Sequence, residues 1–131
     1  IYLDTIDFLL PYIEKRQFRQ GMLAMAENLA ESREFYQIAF RITGQNSFKD
    51  LFEANMQNLF LEIFQRFGKP DNLGDLTEEE LAGYFGSGLC YAVSHWLCRG
   101  RTSDAQTFLR RYETVVSHSF FDFVTLDQHN G

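Results

Sequence analysis

The chain has 131 residues, 45% of them hydrophobic and 23% charged, with a formal net charge of −6. This is the composition of one globular domain, long enough to bury a core without metals or disulfide staples. The acidic balance excludes DNA binding through a general field, because phosphate binding needs clustered Lys and Arg, and no apolar run is long enough to cross a bilayer.

Helical periodicity runs through the whole sequence. The first expected helix, about Ile1 to Lys15, sets Leu3, Ile6, Leu10 and Ile13 three and four apart. Pro11 lies inside this pattern and is expected to kink or end the helix. The chain opens within the apolar pattern, with no start methionine, no cap and no signal peptide, as a fragment of a longer protein would. The short basic cluster Lys15, Arg16 and Arg19 reads as a solvated helix end. A second helix, Phe18 to Glu31, carries Met22, Met25, Ala26 and Leu29 on one stripe. Ser32 is a candidate N-cap for a third, Arg33 to Ile42. That helix is apolar nearly all round, through Phe35, Tyr36, Ile38, Ala39, Phe40 and Ile42, and is therefore expected to be buried. Gly44 follows as its C-terminal cap.

The fourth helix starts at the N-cap candidate Ser47, with Asp50 in its first turn. Its stripe of Phe48, Phe52, Met56, Leu59, Phe60, Ile63, Phe64 and Phe67 ends at Gly68 and Pro70. A polar connection follows from Lys69 to Leu76. The fifth helix opens on the capping box Thr77-Glu78-Glu79-Glu80 and runs through Leu81, Phe85, Leu89, Val93, Trp96 and Leu97 to Arg99, with Gly100 as cap. The sixth begins near Thr102 or Ser103, with Gln106 completing a second box, and carries Phe108, Leu109, Tyr112, Val115, Val116, Phe120 and Phe123. The tail from Asp127 is polar. The expected fold is all-α, an antiparallel bundle of about six helices.

The sequence offers little to catalysis. Gly83, Gly86 and Gly88 lie within a helical pattern with no strand before them, so they do not form a phosphate-cradling loop. His95 and Cys98 are i and i+3 on one helix, a spacing that two metal ligands can share, but no further ligand is nominated. His118 and His129 are scattered elsewhere. No cofactor is expected, and no enzyme activity. Cys90 and Cys98 are eight residues apart on one helix. The rise of a helix puts them roughly 12 Å apart, too far for a disulfide. Two free thiols suit the cytoplasm.

Two features admit two readings each. Glycine inside a helix costs about 1 kcal/mol relative to alanine, so Gly83, Gly86 and Gly88 call for a close neighbour. That neighbour is either another helix of the same chain, or a second subunit or ligand. The Met and Phe stripes are core residues first and pocket linings second.

The run from Tyr84 to Gly100 resembles the penultimate helix of TetR-type transcriptional regulators, with an aromatic-small-small-Gly-Leu stretch, a Trp-Leu pair and a short polar break. Thr102-Ser103-Asp104-Ala105 is similar to the opening of their final helix, without its proline. Glu31-Ser32-Arg33-Glu34-Phe35-Tyr36, and the turn from Gly44 to Phe48, resemble one branch of the family. The resemblance covers nearly the whole chain. It implies a cytoplasmic homodimer built from the last two helices of each subunit, and a pocket enclosed by the middle helices and the penultimate one. It also implies a three-helix DNA-binding head ahead of this region, through which operator DNA is reached. No part of this chain matches that head.

On this basis the pocket is expected between the second, fourth and fifth helices, lined by Met25, Phe52, Met56, Phe60, Tyr91 and His95. Tyr91 and His95, i and i+4, would hold the polar end of an otherwise apolar effector. Gly86, Trp96, Phe108, Tyr112, Val115 and Phe120 are the candidates for an isologous dimer interface. The alternatives are a protein effector docked on the helical surface, or a standalone helical adaptor.

Overall fold

Helices make up every regular element among the described residues of the computed structural model, which are 5–45, 47–69, 71–99 and 103–123. They are α1 (Thr5–Glu14), α2 (Phe18–Glu31), α3 (Arg33–Arg41), α4 (Phe48–Phe67), α5 (Glu78–Cys98), α6 (Ala105–Val116) and the single turn α7 (Phe120–Phe123). A 3-10 turn at Asp71–Leu73 lies between α4 and α5.

The caps explain where the two long helices start. Ser47 Oγ accepts from the Asp50 amide at 3.2 Å, and Thr77 and Glu80 form the full reciprocal capping box. At the far end of α4, Gly68 takes a φ of 82° and its amide donates to Phe64 O at 2.7 Å. α1 passes through Pro11 to Glu14 and closes at Arg16 with a φ of 57°. Two expected caps differ. Ser32 makes no side-chain cap. The cap of α6 is Asp104, whose carboxylate accepts from the Thr107 amide at 2.8 Å, which moves the start past Thr102 and Ser103. Gly100 lies outside the described residues.

The expected sixth helix is two pieces. Ser117 Oγ donates to Thr114 O, His118 Nδ1 lies 2.8 Å from that same carbonyl, and the Ser119 amide donates to the Asp122 carboxylate at 2.7 Å. These local bonds compete with the helical ladder and break it after Val116.

The most extensive helix pair is α4 with α5. They run antiparallel: Gln57 meets Ser87 midway, while Phe64 meets Phe85 nearer the C-terminal end of α4. Phe52, Met56, Leu59, Leu89, Val93 and Leu97 are sealed between them and α1 to α3, with Leu9, Ile13, Met25 and Leu29 in the same cluster. Fully burying one such side chain contributes about 1.5–3 kcal/mol. The helix α3 is not buried all round. It sets Phe40 edge-on against Phe48 and Phe52, at 5.0 and 5.4 Å between centroids, but leaves Phe35, Ile38 and Ile42 more than half exposed.

The corner between α5 and α6 is tied by α3. Arg33 donates to Trp96 O and Ser103 O at 3.2 and 3.1 Å and lies 4.9 Å over the Trp96 ring. Gln37 donates to Leu97 O at 2.7 Å. These bonds satisfy carbonyls in the last turn of α5, which a helix cannot satisfy by itself. Trp96 Nε1 in turn donates to Ser103, and its ring stacks on Phe108 at 4.4 Å.

Candidate functional site

The glycine problem resolves differently at each position. At Gly86 a Cβ would lie 2.4 Å from both Cα and N of Gln57. The missing side chain lets the backbones of α4 and α5 touch, and Gln57 Nε2 donates to Ser87 Oγ at 2.9 Å beside the contact. At Gly83 and Gly88 a Cβ would meet nothing within 4 Å. The close neighbour at Gly86 is therefore α4 of the same chain.

That contact takes up the space in which a pocket between α2, α4 and α5 was expected. Met25, Phe52 and Met56 are 5%, 1% and 0% exposed and belong to the packed core. Tyr91 and His95 lie on the outer face of α5, stacked on each other at 5.7 Å. Phe60 is the one of these six residues that lines the apolar cavity described next.

This cavity, of about 320 Å³, lies one layer further along the bundle. Leu9, Tyr12 and Ile13 of α1 and Phe18, Gly21 and Met22 of α2 form one side. Leu59, Phe60, Ile63 and Phe64 of α4, Phe85 of α5, and Tyr112 and Val116 of α6 form the other. Gly21 belongs there for a packing reason, since a Cβ would come within 2.9 Å of Tyr12 Cβ. Phe60, Phe64 and Phe85 form a three-ring wall with centroids 5.6 to 6.5 Å apart.

No charged side chain lines this cavity, and the only side-chain polar groups among the lining residues are the hydroxyls of Tyr12 and Tyr112. Neither hydroxyl has a hydrogen-bond partner among the described residues. Burial pushes the Tyr112 phenol up to about 12, because an apolar surrounding disfavours the phenolate. At neutral pH it is a neutral group able to donate and to accept. Such a site takes apolar molecules with one or two hydrogen-bonding groups and rejects ions, whose desolvation nothing here repays. The sequence signal for it was present in Phe60, Phe64 and Phe85, but the contribution of α1 and α6 was not legible from periodicity.

A second concave surface, of about 650 Å³, runs between α5 and α6. Trp96, Phe108, Tyr112 and Val115, four of the six residues expected at a dimer interface, line it together with Ala92, His95, Arg99, Ser103 and Arg111. Val115 is 61% exposed, and Tyr91 and Tyr84, on the adjoining face of α5, are 67% and 72% exposed. Gly86 faces inward, against α4, and is no part of this surface. The side chain of Phe120 lies outside the described residues. Among the described residues no group of three or more His, Cys, Asp or Glu could hold a metal ion, and no helix is long and apolar enough to cross a membrane.

A family model described as a transcriptional regulator C-terminal region matches residues 16–118, from the end of α1 to just past α6. No curated protein and no solved structure gives a significant match. The match spans α2 to α6, which build the outer α5–α6 face and all of the cavity except its α1 side, and with the all-helical architecture it places the chain in the C-terminal domain family of TetR-type transcriptional regulators.

Proposed function

We propose that this chain is the effector-sensing and dimerising module of a TetR-type regulator, and that it couples an apolar effector to the DNA affinity of an N-terminal helix-turn-helix head. The cavity lined by α1, α2, α4, α5 and α6 carries this reading. It differs from the expected pocket in drawing on α1 and α6 and in excluding Tyr91 and His95. An effector seated there touches α1, the helix nearest the start of the chain, and α6, which forms half of the α5–α6 face. One ligand thus contacts both the side on which a head would connect and the side on which a second subunit would pack. A ligand that fits one arrangement of these helices better than another shifts the balance between them. Couplings of this kind are typically worth about 1–3 kcal/mol.

Dimerisation rests on the outer face of α5 and α6. Tyr84, Gly88 and Val115 leave apolar and small groups in solvent, and no packing within the chain requires Gly88 to be glycine.

One observation favours a protein effector as the second reading: the exposed stripe Phe35, Ile38 and Ile42 on α3. Two measurements on the chain separate the readings. Sedimentation equilibrium at micromolar concentration should give a dimer, and neutral apolar compounds should raise the melting temperature. A monomer whose melting temperature no compound moves would leave the protein-effector reading in its place.

A further inference from the structure

On the opposite character of surface from the apolar cavity, and sharing no lining residue with it, lies a groove of about 560 Å³ between the end of α3, the α3–α4 turn and α5. We propose that this groove is a second ligand site, which takes a small molecule carrying a phosphate or carboxylate group beside a planar ring.

Charge is the first argument. The chain holds 18 acidic and 12 basic side chains, yet Arg41, Lys49 and Arg99 line this one groove against the single carboxylate of Asp50. None of the three cations is in an ion pair among the described residues, whereas Arg19 and Arg66 elsewhere are. Like charges gathered on a concave surface with low-dielectric walls focus a positive potential and raise the local concentration of anions. Arg also offers a planar fork that matches phosphate and carboxylate oxygens two at a time.

The walls are the second argument. Tyr91 is 67% exposed, and its ring is held against His95 at 5.7 Å with 26° between planes. A ring fixed on one face and open on the other is a stacking platform for a planar group. Ser94 Oγ donates to Tyr91 O at 3.2 Å, within the same turn of α5. A single molecule carrying both an anionic group and a planar ring uses both features at once. That molecule is excluded from the apolar cavity by its charge, so the two sites select different chemistry.

The test uses the whole chain and phenyl phosphate as the probe, with benzoate, inorganic phosphate and phenol as its parts, read by titration calorimetry and by the Tyr91 and His95 signals in NMR spectra. The expected result is binding of phenyl phosphate that shifts both signals. Affinity should fall about tenfold or more, a loss of about 1.4 kcal/mol, in each of Arg41→Glu and Lys49→Glu. Both side chains are exposed, so circular dichroism should show both variants folded. Tyr91→Ala should weaken phenyl phosphate and leave inorganic phosphate unchanged. Benzoate binding tighter than phenyl phosphate would assign the site to carboxylates, and weaker binding to phosphates; both support the proposal. It is overturned if phenyl phosphate fails to bind at millimolar concentration, if neither charge reversal weakens it, or if phenol binds as tightly as phenyl phosphate.

Discussion

The two sides of α4 are packed by opposite means. Against the middle of α5 it is sealed: Gly86 lets the backbones touch, Phe52 and Met56 are buried completely, and Gln57 bonds Ser87 across the seam. One to two turns further on, the side chains are the large rings of Phe60, Phe64 and Phe85, and these hold α4 and α5 away from α1, α2 and α6. Small residues bring helices together and bulky ones prop them apart, so one bundle is solid at one level and hollow at the next. An apolar space that is not filled costs stability through the contacts its lining forgoes. A ligand restores those contacts, at about 0.8 kcal/mol for each buried methylene.

The largest effect should come from closing the seam where it has no room. Gly86→Ala places a Cβ against the Gln57 backbone, which cannot rotate away. It should destabilise by about 3 kcal/mol, the upper end for overpacking. A denaturation midpoint equal to that of the native chain would show that α4 and α5 are not in contact there.

Next comes the corner that fixes α5 relative to α6. Arg33→Met keeps the length of the stem but removes two hydrogen bonds to the Trp96 and Ser103 carbonyls. Ser103 O keeps its bond from Trp96 Nε1, so the cost should be about 1–3 kcal/mol for the Trp96 carbonyl, seen in urea unfolding as a lower midpoint at unchanged slope. Retention of full stability would mean that water serves that carbonyl equally well.

Tyr112 probes the hollow side through pH. Its phenol has a raised value in the folded chain, so its contribution is fully present below the ordinary value of 10.0 and is lost as pH rises toward about 12. Stability measured across that window should fall more steeply for the native chain than for Tyr112→Phe. Identical slopes would show that the hydroxyl is as solvated folded as unfolded.

The smallest effect is at Gly88, two residues from the close approach of Gly86 to Gln57. A Cβ there meets nothing, so Gly88→Ala should stabilise the isolated subunit by up to about 1 kcal/mol through helix propensity. At dimer-forming concentrations the proposed subunit contact should turn this gain into a loss that disappears on dilution, and a gain at every concentration would take Gly88 out of that contact.

How much of this was legible beforehand follows from the range of the forces. The starts of α4 and α5 were readable because their caps are local: Ser47 with Asp50, Thr77 with Glu80. The break after Val116 was equally local, but Ser117, His118 and Ser119 sit in a continuing apolar pattern that hides it. The exposure of Phe35, Ile38 and Ile42 was not readable, since three helix faces compete for one core and the loser is decided by tertiary packing. Gly86 and Gly88 are the same residue in the same helix, and only the position of Gln57 distinguishes them. For the same reason periodicity alone does not separate the residues that fill the seam from those that line the cavity one layer away.

The proposed function requires the hollow level of the bundle to be a ligand site rather than loose packing. The direct measurement is fluorescence titration with N-phenyl-1-naphthylamine, a neutral apolar dye with one N–H group, against the native chain and against Ile63→Trp, which fills the cavity from α4. Binding should saturate at one dye per chain with a higher melting temperature, and both should be lost in a variant that stays helical. Equal binding by native chain and variant, or none by the native chain, would contradict it.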